Sequence, residues 1–298
     1  WMPDRPIRLV VAFPPGGPND LMARMLGPRI SDALKQPVVV ENRGGSNGEI
    51  AAAAIAKLPA DGQTLLFVSN GAIVISPSLG RKLGYDPVRD LAPIMLIADS
   101  PMLLVVNTDV PASNVDELIR LIRAQPGRFN YASASTGSAT HLAAELFKSM
   151  AKLDVVHVPY KGGGPALTDV MAGQVQYYFG GLTTALPYVK AGRMRGLAVT
   201  GPSRSAAAPG IPSLSETLPG YAASLWYALM TTAGTPRPII SRYYEVIASA
   251  LREPEVRAKL VELGADPLDL NPERFSAFIR EDTDKWTRIV RAAGIKPE

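Results

Sequence analysis

Short apolar runs, separated by clusters of glycine, proline and small polar residues, alternate along the chain with stretches whose apolar residues recur every three or four positions. A compact run of this kind reads as a buried strand, and the longer period as one face of a helix. Residues 7–13 form the first run, which Pro14-Pro15-Gly16-Gly17 breaks because that sequence cannot continue a strand. Met22, Leu26, Ile30 and Leu34 then fall on one helix face, with Pro28 inside the helix and expected to kink it. Residues 37–41 read as a second strand. This is a βαβ unit, and its crossover implies a parallel sheet.

The plan recurs. Residues 64–68 run into Ser69-Asn70-Gly71. Residues 129–133 lead through a small-residue turn, 134–138, to a helix marked by Leu142, Leu146 and Met150. Residues 154–158 form a further strand, followed by Pro159-Tyr160-Lys161-Gly162-Gly163-Gly164, with Pro165 suited to a first helical turn. Ser113-x-x-Asp116 reads as a capping box opening a helix with Val115, Leu118, Ile119 and Ile122, and Pro126-Gly127 ends it. The last third reads as helical: Pro238 and Pro254 begin two helices, and Asn271-Pro272 caps a third. That third helix carries Phe275, Phe278, Ile279, Trp286, Ile289 and Val290 as core packing, and the helical block is expected to cover the sheet of the first domain.

Composition narrows the chemistry. The length of 298 residues suits two domains or one large one, and 47% hydrophobic against 19% charged residues excludes intrinsic disorder. The absence of cysteine excludes disulfides, thiolate metal sites and cysteine nucleophiles. A net charge of +4 without a basic run speaks against nucleic acid and leans the surface toward anions. Apolar stretches such as residues 102–106 fall far short of the ~20 residues that span a bilayer. No basic region followed by an apolar one opens the chain, so the sequence leaves open a cytoplasmic protein or one whose signal peptide has been removed.

In open parallel sheets ligands bind outside the carboxyl ends of the strands. The four strand–helix junctions named above lie there, and all are rich in Gly, Ser, Thr or Asn. Backbone N–H groups at helix starts suit an anion, and each hydrogen bond to a charged acceptor contributes about 1.5–3 kcal/mol. One such junction is most simply a turn; four of the same character indicate a site. Nucleotide and catalytic motifs are missing: no GxxxxGK[ST], no GxGxxG and no GxSxG, although Ser133, Ser135 and Ser138 crowd one turn. His141 and His157 are the two histidines, without HExxH, so a metal site is not expected. Asp20 reads as a helix-dipole partner or cap, and Lys161 as an anion-attracting or simply solvated cation.

Ordered segments along nearly the whole chain carry a resemblance: Pro6-Ile7-Arg8-Leu9-Val10-Val11-Ala12-Phe13-Pro14-Pro15-Gly16-Gly17 with Asp20; Val38-Val39-Val40-Glu41-Asn42-Arg43; Ala60-Asp61-Gly62; Tyr85-Asp86-Pro87; His157-Val158-Pro159-Tyr160-Lys161-Gly162; Gly173-Gln174-Val175; Val189-Lys190-Ala191-Gly192; and Ala233-Gly234-Thr235-Pro236. Together they resemble the Bug-type, TctC-like extracytoplasmic solute receptors of tripartite tricarboxylate transporters.

The resemblance implies an α/β protein with a type II periplasmic-binding-protein fold, two α/β lobes around a central ligand cleft. Residues 1–101 with 225–298 would form the first lobe and 102–224 the second, with crossing strands near 102–107 and 224–230. It further implies a periplasmic, monomeric receptor, without cofactor or metal, that captures a small organic carboxylate and delivers it to a membrane permease. Contacts from the first lobe would come from Phe13, Pro14, Gly16, Gly17, Asn19, Asp20, Ser69, Asn70 and Gly71. Those from the second would come from Ser133, Ser135, Thr136, Gly137, Ser138, Tyr160, Lys161, Gly162 and Gly180. Closure would add the second set of donors when an anion is present, so the ligand stabilises the closed state by its differential affinity.

Where the family usually carries Asp-Asn, this chain has Gly180-Gly181 after Phe179. The missing carboxylate disfavours an amino-acid ligand, and the lost side chains would leave room for a dicarboxylate or an aromatic acid, with Phe13, Tyr160, Phe179 and Trp226 as apolar walls or as core. Two alternatives stand beside this reading: a hydrolase on a similar scaffold using Ser138 and His141, and a ligand-sensing subunit of a signalling system. A serine hydroxyl within about 3 Å of a histidine nitrogen in the cleft would favour the hydrolase.

Overall fold

The computed structural model describes residues 1–295, which divide into two compact units. The first comprises Trp1–Asp99, Trp226–Leu263 and Pro267–Thr287; the second comprises Ser100–Leu225, Gly264–Asp266 and the chain from Arg288. The expected first lobe took in everything from residue 225. Here Gly264–Asp266 and the chain from Arg288 group with the second unit instead, and Lys296, Pro297 and Glu298 lie outside the described residues.

The first unit opens with β1 (Ile7–Val11), α1 (Pro18–Leu34), β2 (Val38–Asn42), α2 (Glu49–Ile55) and β3 (Thr64–Ser69). Strand β1 is central, parallel to β2 with Ile7 opposite Val38 and to β3 with Arg8 opposite Thr64. Every residue of β3 is buried, as a strand covered on both faces requires. Helix α1 buries Met22, Leu26, Ile30 and Leu34 and runs unbroken across Pro28, whose ring lies on the exposed face. A π-turn, Gly71–Ile75, follows β3 and passes into α3 (Ser76–Ser78); β4 (Leu91–Val106) then carries the chain into the second unit.

The second unit continues with α4 (Val115–Ala124), β5 (Asn130–Ser133), α5 (Ala139–Ala151), β6 (Val156–Pro159), α6 (Gly163–Met171), β7 (Tyr177–Gly181), α7 (Leu182–Lys190) and β8 (Arg195–Val199). Strand β5 is parallel to β6 and β7, while β4 is antiparallel to β7 and β8. Leu103, Val105, Ala132, Val170, Tyr178 and Leu182 form its core. The cap of α4 sits one residue later than expected: Asn114 accepts from the Glu117 N–H at 2.9 Å, and the Glu117 carboxylate accepts from the Ser113 N–H at 2.7 Å. Asn114 takes the cap because an amide oxygen caps as well as a serine hydroxyl.

Strand β9 (Ser224–Thr232) returns to the first unit and pairs antiparallel with β3. Then come α8 (Arg237–Ala250), α9 (Pro254–Glu262), β10 (Asp266–Leu270) and α10 (Pro272–Ala293). Trp226 on β9 is 1% exposed, packs edge-on against Phe275 at 5.5 Å and donates to the Asp282 carboxylate at 3.0 Å. It is core, not a ligand wall. Strand β10 was not expected, because two aspartates and a proline in five residues oppose strand propensity.

Candidate functional site

In the second unit the β5–α5 loop is built from small residues so that a helix can start immediately at the carboxyl end of a parallel strand. Gly137 adopts φ +71°, a left-handed turn that a β-branched residue resists. Ser138 caps α5, accepting from the His141 N–H at 3.3 Å and donating to the Ser135 carbonyl at 2.7 Å. Three of the loop's donors are consumed internally: the Ala134 N–H by Thr140 Oγ1 at 2.9 Å, the Gly137 N–H by His141 Nδ1 at 3.0 Å, and the Ser138 N–H by the Ser135 carbonyl at 3.2 Å; the Ala134 carbonyl in turn accepts from the Gly162 N–H at 2.8 Å. Among the described residues the N–H groups of Ser135, Thr136, Ala139 and Thr140 donate to nothing. They sit at the positive end of a 13-residue helix with no cation bonded to the loop.

Behind the loop lies a stack of rings. His141 and His157 are 3.9 Å apart and nearly parallel at 8°, and Tyr131 stacks on His157 at 5.0 Å. The Tyr131 hydroxyl donates to the buried Glu145 carboxylate. Burial, with His157 and Lys148 adding to it, pushes His141 down to about 3, so its imidazole is neutral and Nδ1 accepts from Gly137. Burial also lowers His157.

The first unit brings three loops together at the carboxyl ends of β2, β1 and β3. In the β1–α1 loop Gly16 turns at φ +84°, and its N–H donates to Asp20 at 2.9 Å. Arg24 and the Asn42 amide also reach Asp20 at 2.9 Å, and Asn42 donates to the Phe13 carbonyl at 3.1 Å. Burial opposes the Asp20 charge, but Arg24, the Gly16 N–H and Asn42 outweigh it and hold the carboxyl below its ordinary value. Asp20 therefore shapes the loop, and its oxygens are not offered outward. Among the described residues the N–H groups of Gly17, Asn19 and Asp20 donate to nothing, and the buried Asn19 Oδ1 has no partner. Ser69 ends β3 opposite Tyr227, and Asn70 precedes the π-turn. A fifth junction, Gly44-Gly45-Ser46-Asn47-Gly48 after β2, packs onto the other two loops. It carries the same signal in sequence, glycines and small polar residues directly after a strand.

Other expected residues are placed as follows. Tyr160 is half-buried, its N–H on the Ser133 carbonyl and its hydroxyl on Asp169 at 2.7 Å; burial and that carboxylate push it up to about 12. Lys161 is exposed. Gly180 is buried in β7 opposite Leu103, and a methyl there would come within 2.9 Å of the Tyr178 ring. The space expected at this glycine is thus already filled by Tyr178, which reading neighbours along the strand did not reveal. Phe179 is fully buried against Phe147 and Tyr221 and is core. Two cavities of about 500 and 460 Å³, on helices of the first unit, involve none of these residues.

A serine–histidine pair exists, but at Ser133 and His157, 2.7 Å apart, rather than at Ser138 and His141. Ser133 is wholly buried, and its hydroxyl sits between the Ser135 carbonyl at 3.1 Å and His157 Nε2. No substrate carbonyl reaches a hydroxyl with no exposed surface.

Comparison with known proteins decides between receptor and enzyme. Residues 22–295 match the family model described as tripartite tricarboxylate transporter family receptor, TctC. The chain belongs to this family. It is similar to the Bordetella pertussis protein BugT, 36% identical over 99% of this chain and 91% of that one. Among solved structures it resembles Rhodopseudomonas palustris Rpa4515 with adipate, at 35% identity, TM-score 0.81 and 99% coverage of both chains. It also resembles MatC from R. palustris with bound malate, at 30% identity and TM-score 0.76 over 97% of this chain and 100% of that one. The TctC chain is a solute-binding receptor with the fold of these periplasmic binding proteins, not an enzyme. TctC receptors are periplasmic, and no helix among the described residues is long and apolar enough to cross a membrane.

Proposed function

We propose that this TctC receptor captures a small organic carboxylate, a dicarboxylate or an aromatic acid in particular, and hands it as a monomer to the permease subunits of a tripartite tricarboxylate transporter. The observation that carries the reading is the set of undirected N–H groups, Ser135, Thr136, Ala139 and Thr140, at the start of α5, in a loop whose geometry side chains hold. The first-turn N–H groups of α1 and the loops around Gly71 offer donors of the same kind within the first unit. Relatives with adipate and with malate support the ligand class. Gly180 and Gly181 offer no carboxylate to an ammonium group, which favours acids without an amino group.

Thermal unfolding in the presence of succinate, malate, adipate, benzoate and glutamate tests the proposal. At 100 times Kd a bound acid stabilises the fold by about 2.7 kcal/mol, a clear rise in Tm. A rise with at least one of the four acids lacking an amino group, larger than with glutamate, is expected. A response to glutamate alone, or to none of the five, overturns it.

A further inference from the structure

We infer that Asn47, in the loop between β2 and α2, contacts the ligand and helps set which carboxylate is taken; the inference rests on the receptor reading above. Residues 44–48 are seated on both other loops of the first unit. A methyl on Gly44 would lie 2.9 Å from the Pro14 ring, and one on Gly48 would lie 3.2 Å from Ala12 and 3.4 Å from Ala72. The seat is braced from beneath. Glu49, at the start of α2, takes hydrogen bonds from the Ser76 hydroxyl and from Arg81, and the Tyr85 hydroxyl donates to the Ala72 carbonyl inside the π-turn at 2.7 Å.

On this seat two consecutive non-glycine residues hold left-handed backbone, Ser46 at φ 43° and Asn47 at φ 54°. Asparagine tolerates that region better than most residues, but glycine is the residue the backbone alone would select. The Asn47 carboxamide lies directly over Gly71: a methyl on Gly71 would fall 2.5 Å from its Cγ, Oδ1 and Nδ2. The side chain is exposed and makes no hydrogen bond among the described residues. A strained position thus keeps a polar group that bonds to nothing in the fold, placed over the residue where β3 meets the π-turn, and strain of this kind concentrates at ligand sites. A carboxamide brings two donors and one acceptor, which suits a carboxylate or the hydroxyl of a hydroxy acid.

Asn47→Gly separates a binding role from a structural one, because it removes the side chain and relieves the backbone. Titration calorimetry with adipate and with malate on the full chain is expected to show about tenfold weaker binding of at least one acid, a change of threefold or more in the adipate-to-malate ratio, and a Tm no lower than that of the parent. Gly71→Ala pushes the flexible amide aside and is expected to weaken binding in the parent chain but to add no loss in the Asn47→Gly background. Parent-like binding of both acids by Asn47→Gly, or the same Gly71→Ala loss in both backgrounds, overturns the inference and leaves the receptor reading intact. A parent chain that binds neither these two nor any acid of the thermal panel fails the receptor reading itself, and this inference with it.

Discussion

The two units solve one problem, a helix start left open at the end of a parallel strand, with different chemistry. In the second unit the β5–α5 loop is braced by neutral groups: Ser138, Thr140 and His141 take up surplus N–H groups and His157 stacks behind. In the first unit the β1–α1 loop is braced by a charge, the Asp20 carboxylate, which gathers Gly16, Arg24 and Asn42. Each brace holds the N–H of a left-handed glycine, but the neutral one spreads its ties over three side chains around Gly137, whereas the charged one gathers Gly16 and its other partners on a single carboxylate. The second-unit loop should therefore tolerate substitution poorly, and the first-unit loop should tolerate it well so long as Asp20 is intact.

The largest effect should come from Gly137→Val. At φ +71° a β-branched residue is strained, and any relaxation moves the N–H that His141 holds and with it Ser135 and Thr136. Loss of carboxylate affinity of 100-fold or more in calorimetry is expected. Gly17→Val is the counterpart in the first unit. Its φ of −82° is ordinary, the position precedes a proline, and a methyl there would meet only the Pro14 carbonyl at 3.9 Å. Less than tenfold loss is expected, and equal losses at the two glycines would erase the contrast.

Next is Asp20→Ala, which removes the charged brace. A hydrogen bond to a charged group contributes about 1.5–3 kcal/mol, and the three partners lie at the surface where water replaces part of the loss. A destabilisation of about 2 kcal/mol in urea denaturation is expected. A smaller cost than that of His141→Ala would reverse which loop depends more on its brace.

The contrast bears on what the sequence discloses. The strand–helix alternation was readable because β1 and β3 are mainly apolar runs that give way to glycine, proline or small polar residues, and the loop positions follow from topology alone. Which N–H groups remain available was not readable: Gly16, Gly137 and Gly162 each lose theirs to a partner that only the folded loop brings close. Ser133 and Ser138 look alike in sequence, yet one hydroxyl is turned inward to His157 and the other caps a helix. The glycine at 180 suggested empty space because its occupant, Tyr178, sits two residues away on the same face of the strand. Strand β10 went unseen because its residues oppose the conformation that packing imposes on them.

The braces should also part company in acid. The folded-state pKa of His141 is near 3 against about 6.5 unfolded, so between those values the unfolded chain binds the extra proton. The stability this contributes is complete above about pH 6.5 and is lost progressively as pH falls toward 3. Asp20 is also lowered, but from an ordinary value of about 3.9, so its contribution persists to about pH 4 and is lost only below. Urea denaturation from pH 7 to pH 4.5 should show stability falling in the parent chain and a visibly flatter profile in His141→Gln, whose amide oxygen still accepts from Gly137. An unchanged slope would place the proton uptake elsewhere.

The smallest effect is expected at Ser133, where sequence alone suggested a ligand contact. Its hydroxyl bonds to the Ser135 carbonyl and to His157 Nε2 and has no exposed surface. Ser133→Ala leaves those two groups short of one partner each, but both sit where water compensates in part, the His157 ring being half-exposed and the Ser135 residue open. A cost of about 1 kcal/mol follows, with carboxylate affinity within threefold of the parent. Because the loop keeps its Ser138, Thr140 and His141 ties, the available N–H groups should not shift. A tenfold loss of affinity without further loss of stability would mean that the hydroxyl itself meets the ligand, and that neutral bracing in the second unit is less complete than its hydrogen bonds indicate.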